Sequence, residues 1–159
     1  MDSEIAPEPS MIGRRVGVYR LEEEVGRGGM GVVYRARRDD GEFDQTVAIK
    51  LIKRGMDTDA ILRRFRRERQ ITAALNHPNI AYFFGGGSTE DGLPFFVMEY
   101  ISGLPLYDYC DTGRLTIRER LQIFRQVCWA VQAAHDIKVI HRDLKPSNVM
   151  VTTPSGAMR

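Results

Sequence analysis

The sequence has almost no cysteine. Cys110 and Cys128 are the only two, they form no Cys-x-x-Cys pair, and the three histidines do not cluster, so neither a disulfide framework nor a zinc site is encoded. No apolar run approaches the ~18 residues of a membrane-spanning helix. Residues 1–10 carry acids and two prolines instead of the apolar stretch of a signal peptide. A cytoplasmic, reducing setting is expected. Charge of one sign is also missing: 23 basic against 21 acidic side chains leave a net +2, too little to point to nucleic acid. Repeats and low-complexity tracts are absent. What is present is a chain of 159 residues with 43% apolar content, enough for the core of one ordinary domain.

Residues 1–18 are polar, with Pro7, Pro9, Gly13 and Gly17, and read as a flexible leader. From Tyr19 the pattern turns strand-like. Tyr19, Leu21 and Val25 lead into a glycine-rich segment and residues 32–37 lead out of it, so the glycines join two strands. Asp39-Asp40-Gly41 marks a turn. Residues 46–52 read as a third strand, 80–84 as a fourth and 95–98 as a fifth, with Gly85-Gly86-Gly87 and Asp91-Gly92 marking the turn between the last two. The expected product is a small antiparallel sheet.

Between the third and fourth strands, Ile61, Phe65, Glu68, Thr72 and Leu75 recur at steps of 4, 3, 4 and 3 and share one face of a helix. Asp57-Thr58-Asp59 supplies N-cap candidates and Asn76 with Pro78 ends it. Arg63, Arg64, Arg66, Arg67 and Arg69 fall mainly on the opposite side. That side reads as a solvated surface; if it binds anything, an acidic partner fits better than DNA, because no aromatic stacking platform accompanies it. A second helix over 117–135 opens with the capping-box pattern Thr116-Ile117-Arg118-Glu119, and its apolar stripe is expected at Leu121, Phe124, Cys128, Val131 and Ala134 or His135.

Three segments carry chemistry. Gly26-Arg27-Gly28-Gly29-Met30-Gly31 fits Gly-x-Gly-x-x-Gly, a pattern shared with dinucleotide folds. A dinucleotide fingerprint must open a helix, whereas these glycines run into Val32-Val33 and an alternating strand, so a hairpin is expected. Lys50 ends the apolar segment Val47-Ala48-Ile49. Glu68 on an apolar helix face needs a partner, since breaking a buried ion pair costs roughly 3–5 kcal/mol, and Lys50 is the natural one. The third segment is His141-Arg142-Asp143-Leu144-Lys145-Pro146-Ser147-Asn148.

Taken together, in this order and spacing, the three segments resemble the protein kinase family over residues 19–151. Lys145 two residues after Asp143, followed by Pro146-Ser147-Asn148, resembles serine/threonine kinases. The wording of residues 28–31 and 51–56 is similar to bacterial eukaryotic-like members. The resemblance implies an α+β, protein kinase-like fold: a five-stranded antiparallel N-lobe sheet with one helix over residues 19–98, a hinge at 99–103, and the first part of a helical C-lobe over 104–159. It implies ATP and Mg2+ as cofactors. Backbone groups of Gly26, Arg27, Gly28, Gly29, Met30 and Gly31 would close over the phosphates. Val33 and Ala48 above and Met150 below would form the adenine slot, with Met98 guarding its back and backbone groups of Glu99 and Ile101 bonding the base. Lys50 would hold the α- and β-phosphates, oriented by Glu68. Asp143 would accept the proton of the substrate hydroxyl, Lys145 would lie against the transferring phosphate, and the Asn148 amide oxygen would bind Mg2+. His141 is expected as a packed structural histidine, and Arg142 as a docking site for an activation-loop phosphate. The ribose contact stays open between Pro105 and Asp108.

Two positions depart from the family pattern. Thr72 stands where a large apolar side chain is usual, and Tyr82-Phe83-Phe84 is bulkier than the fourth strand normally is. The second magnesium-binding segment, Asp-Phe-Gly, is expected beyond Arg159. The expected activity is transfer of the ATP γ-phosphate to Ser and Thr hydroxyls of protein substrates, with no nucleic acid partner and no membrane segment. The alternatives are a non-catalytic ATP-binding or interaction module that predicts binding without turnover, and a truncated product that never folds stably.

Overall fold

A computed structural model of the chain describes residues 10–53, 76–141 and 143–152. The helix expected between the third and fourth strands, with Glu68, Thr72 and the arginines at 63–69, lies outside the described residues. So does Arg142.

Six strands form one antiparallel sheet: β1 (Arg15–Val16), β2 (Tyr19–Gly28), β3 (Gly31–Arg38), β4 (Thr46–Ile52), β5 (Phe83–Ser88) and β6 (Pro94–Glu99), in the spatial order β1-β2-β3-β4-β6-β5. The sheet thus has one strand more than the five expected. The extra strand is β1, inside the stretch expected to be a leader. Val16 faces Tyr19 across a two-residue turn in which Gly17 adopts φ +60°, a backbone state that suits glycine in a tight hairpin. Val16 is 1% exposed, so its burial draws the chain into the sheet ahead of Tyr19.

The fourth strand also differs from expectation. Gly85, Gly86 and Gly87 lie within β5 and not in a turn, and the strand starts at Phe83 instead of residue 80. Two of the three glycines have a local reason. Gly85 takes φ +151° at a bulge between Phe83 and Gly85, and a Cβ at Gly87 would press on the Phe95 ring at 3.2 Å. The turn itself falls at Asp91-Gly92, as expected: Gly92 has φ +81° and its N–H donates to Thr89 O at 2.9 Å.

Alternation gives the sheet two distinct faces. Val32, Tyr34, Ala36, Val47, Ile49, Leu51, Phe95 and Val97 point one way and pack with Val16 and Leu21 into the main core. Cross-strand pairing places Val33 opposite Lys50 and Lys50 opposite Phe96, then Arg35 opposite Ala48 and Ala48 opposite Met98, all on the other face. The turn from β3 to β4 is held by Arg38, whose guanidinium bonds the Asp40 carboxylate at 2.7 and 2.9 Å and sits 4.3 Å from the Phe43 ring.

A second cluster of Cys110, Ile123, Val127, Val149 and Val151 lies outside the sheet. It is built from β7 (Gly103–Pro105), α1 (Leu106–Thr112), α2 (Ile117–Asp136), a 3-10 turn at Pro146–Asn148 and β8 (Met150–Thr152). The capping box of α2 forms as expected: Thr116 N donates to Glu119 Oε2 at 2.8 Å and Glu119 N to Thr116 Oγ1 at 3.3 Å. Its buried stripe follows expectation only in part: Val131 packs against the second cluster, but the row that is fully covered is a different one. Ile123, Val127 and Ala130 are buried, whereas Leu121 and Phe124 are more than half exposed and Cys128 is exposed. The helix is apolar around much of its circumference, and the side facing α1 and β8 selects which row is covered. No helix among the described residues is long and apolar enough to cross a membrane.

Candidate active site

The glycine-rich segment is a hairpin and opens no helix. Gly28 faces Gly31 at the ends of β2 and β3, with Gly29 and Met30 at the tip. The glycines serve two purposes. A Cβ at Gly31 would run into the Leu51 carbonyl, so the fold itself requires glycine there, whereas one at Gly26, Gly28 or Gly29 would meet nothing within 4 Å. The backbone over those three positions is open to a ligand. Arg27 is fastened by its side chain to Glu24, at 2.8 and 2.7 Å, and this fork holds the Glu24 carboxyl below its usual value.

Val33, Ala48, Lys50 and Met98 share the sheet face opposite the main core, in two adjacent rows. Ala48 is 7% exposed and Lys50, Val33 and Met98 are half-buried. The next row outward, Arg37 opposite Thr46, lines with Glu22, Arg35 and Tyr100 a cavity of about 510 Å3. It adjoins the strand end that leads to residues 99–101, and Lys50 is not among its lining residues. Arg35 lies 3.3 Å from both Glu22 and Glu23, although its buried Nε makes no well-aligned hydrogen bond.

The third segment folds back on itself. Lys145 is extended at φ −151°, ψ 158°, as the residue before proline tends to be, and Pro146 opens a 3-10 turn that returns Asn148 to Asp143. Asn148 Nδ2 donates to the Asp143 carbonyl at 2.8 Å and to Asp143 Oδ2 at 3.1 Å. Lys145 Nζ stands 3.1 Å from the same Oδ2. The Lys145 and Asn148 bonds together hold the Asp143 carboxyl below its ordinary value, so it is an anion at neutral pH. The expected packing of His141 is not found: the side chain is exposed, and its Nδ1 accepts from Asp143 N at 3.3 Å.

Because Asn148 spends Nδ2 on Asp143, Oδ1 is the atom it can offer to a hard, oxygen-seeking cation, and the residues present fit Mg2+ in that respect. Among the described residues no group of three His, Cys, Asp or Glu side chains is placed to hold a metal.

Sequence reasoning missed the ribbon that ties these parts together. In it Gly103 faces Thr152, Leu104 faces Val151 and Pro105 faces Met150. A Cβ at Gly103 would collide with the Val151 carbonyl. Leu106 N also donates to Val149 O at 2.8 Å. The segment after Asn148 is thereby bound to the segment that follows the sheet, and Met150 is delivered beside Pro105. Asp108 lies in the first turn of α1. The signal for α1 was Pro105 ahead of Leu106, Tyr109 and Cys110 at helical spacing.

A small twisted antiparallel sheet joined to helices, with a glycine hairpin at one end and an Asp-x-Lys-Pro-x-Asn turn, is the architecture of a protein kinase. The chain belongs to the protein kinase family: the family model for the protein kinase domain matches residues 19–159. It is 39% identical over 144 residues to serine/threonine-protein kinase PrkC of Bacillus subtilis, covering 89% of this chain and 22% of that protein. With serine/threonine-protein kinase PknA of Mycobacterium tuberculosis it shares 38% over 156 residues, 91% of this chain and 36% of PknA. The crystal structure of the Mycobacterium tuberculosis PknI kinase domain superposes with a TM-score of 0.77 at 29% identity, covering 92% of this chain and 59% of that one. The chain thus spans about a fifth to a third of the length of these curated relatives. Members of the family use ATP with Mg2+ and act on protein substrates.

Proposed function

We propose that this chain supplies the nucleotide cradle and the phosphoacceptor loop of a serine/threonine protein kinase. The observation that carries the proposal is the closed constellation of Asp143, Lys145 and Asn148, in which an exposed carboxylate is kept ionised and oriented by two donors. In this reading ATP lies with its adenine against Val33, Ala48, Met98 and Met150 and bonded to the backbone of Glu99 and Ile101. Its phosphates lie under the backbone of residues 26–31 and near Lys50, which Glu68 orients.

Asp143 accepts a hydrogen bond from the substrate Ser or Thr hydroxyl. The hydroxyl oxygen forms a bond to the γ-phosphorus as the bond from that phosphorus to the bridging oxygen of ADP breaks, and the hydroxyl proton passes to Asp143. Lys145 bridges from Asp143 to the transferring phosphate and offsets its charge. Asn148 Oδ1 would hold Mg2+, which would supply positive charge against the charge that develops on the leaving group. The choice of Ser and Thr acceptors rests on Lys145 and on the names of the relatives. The free thiols of Cys110 and Cys128 suit a reducing, ATP-containing cytoplasm.

The test is Asp143→Asn in the full-length protein, with labelled phosphate transfer to a Ser/Thr protein substrate and ATP binding both measured. Transfer is expected to fall by at least about 100-fold, with ATP affinity within about two-fold. Undiminished transfer removes Asp143 from the role of proton acceptor. ATP binding with no transfer even in the wild type identifies a binding module and rejects the enzyme.

A further inference from the structure

Strand β6 leaves the sheet at Glu99, and the way it leaves is unusual. At a hydrogen-bonded site of an antiparallel pair the two facing residues exchange both of their N–H to carbonyl bonds. At this exit Glu99 N donates to Tyr82 O at 2.7 Å, as the ladder requires, but the return bond runs from Tyr82 N to the Glu99 side chain, Oε2 at 3.0 Å. The carboxylate does for Tyr82 what a main-chain carbonyl does elsewhere in the sheet. Tyr82 is just ahead of β5, and the bulge between Phe83 and Gly85 lies one step further on, so the side chain closes the ladder where its regular pattern ends.

The face on which this happens matters. Glu99 stands opposite Val47 in the pairing of β4 with β6, on the core side of the sheet. Ala48, Lys50 and Met98 lie on the other side. The Glu99 carboxylate thus cannot reach a nucleotide bound against Ala48 and Met98, and any influence it has on that nucleotide must pass through the backbone of residues 99–101.

We propose that Glu99 is a positioning residue for the adenine-binding edge. By closing on the Tyr82 N–H it fixes the point and angle at which the chain departs from the sheet, and with them the backbone groups of Glu99 and Ile101 that meet the base. This inference rests on the reading above that residues 99–101 bind adenine. Without the carboxylate, the Tyr82 N–H must take water or draw the Glu99 peptide toward itself, and either alters the departure. Glutamine keeps an acceptor oxygen at the same reach and alanine keeps none, which separates the hydrogen bond from the charge.

The experiment compares wild type, Glu99→Gln and Glu99→Ala in the full-length protein, by steady-state kinetics in ATP and by hydrogen exchange at the Tyr82 and Ile49 amides. In Glu99→Ala the KM for ATP is expected to rise about ten-fold, the loss associated with one hydrogen bond to a charged group. Its kcat is expected to stay within about two-fold, and Tyr82 should exchange faster while Ile49, in the core, does not. Glu99→Gln is expected to hold KM within about three-fold of wild type. An unchanged KM in Glu99→Ala overturns the inference, and so does a Glu99→Gln variant as impaired as Glu99→Ala. Faster exchange at Ile49 together with a proportionate loss of kcat overturns it in favour of a general stabilising role. A wild type that does not bind ATP overturns the kinase reading, and the inference with it; a wild type that binds while Glu99→Ala binds equally well overturns the inference alone.

Discussion

Asp143 Oδ2 receives both the Asn148 amide and the Lys145 ammonium, and Oδ1 receives neither. One carboxylate oxygen is used to hold the group in place, which in the proposed reading leaves the other for the substrate hydroxyl. The two donors also set the protonation state. Lys145 contributes most to holding the Asp143 carboxyl below its ordinary value, Asn148 next, with desolvation opposing both. A carboxyl whose folded-state pKa is depressed contributes stability at all pH above its unfolded value, ~3.9 for aspartate, and loses it as pH falls through the lower folded value. Lys145→Met removes the larger cause. The Asp143 titration, followed by carboxyl carbon NMR, should then move up toward the ordinary aspartate midpoint, and the stability this group loses in acid should be smaller and its loss complete at a higher pH. An unmoved midpoint would show that the Lys145 contact does not set the charge state of this carboxyl.

The glycine hairpin separates two demands that a sequence pattern merges. Gly31 is fixed by the close approach of β3 to β4, because its Cβ would meet the Leu51 carbonyl; Gly28 meets nothing. Gly31→Ala is therefore expected to lower folding stability by about 1–3 kcal/mol through overpacking. Gly28→Ala should leave stability within about 0.5 kcal/mol yet weaken ATP binding, since the proposed reading puts the phosphates in the space it fills. Chemical denaturation with ATP titration on the same two variants checks both halves, and equal stability losses would refute the division. Long alternating strands and the Thr116–Glu119 cap were legible in the sequence because each carries a local chemical signature. α1 escaped with seven residues; β1, β7, β8 and the 3-10 turn escaped with two or three each, too few for any periodicity. Their pairing depends on partners distant in sequence, as Gly103 depends on Thr152. The pattern of Asp143, Lys145 and Asn148 was legible as a local motif, and the roles proposed for them come from the resemblance that motif carries, whereas the Glu99 to Tyr82 bond spans 17 residues and no motif announces it.

At the scale of the whole molecule, the two clusters of buried side chains share no residue. One runs from Val16 to Val97 within the sheet, the other from Cys110 to Val151 around α1, α2 and β8. The chain passes between them once, at residues 100–102. The proposed chemistry needs both, since Lys50 and the glycines are carried by the sheet that forms the first and Asp143 and Asn148 by the turn that feeds the second. Such a division allows one cluster to open while the other stays folded. Val151 is fully buried, stands opposite Leu104 and anchors the strand that follows Asn148. Val151→Ala should remove about 1.5–3 kcal/mol of burial from the second cluster. Hydrogen exchange is then expected to accelerate at 103–112 and 148–152 while the amides of β3, β4 and β6 keep wild-type protection. Saturating ATP should return part of the lost protection, because a ligand that contacts both clusters stabilises the state in which both are formed. Equal acceleration across the sheet would instead mean that the two clusters unfold as one cooperative unit, and that placement of the catalytic turn is inseparable from the stability of the nucleotide cradle.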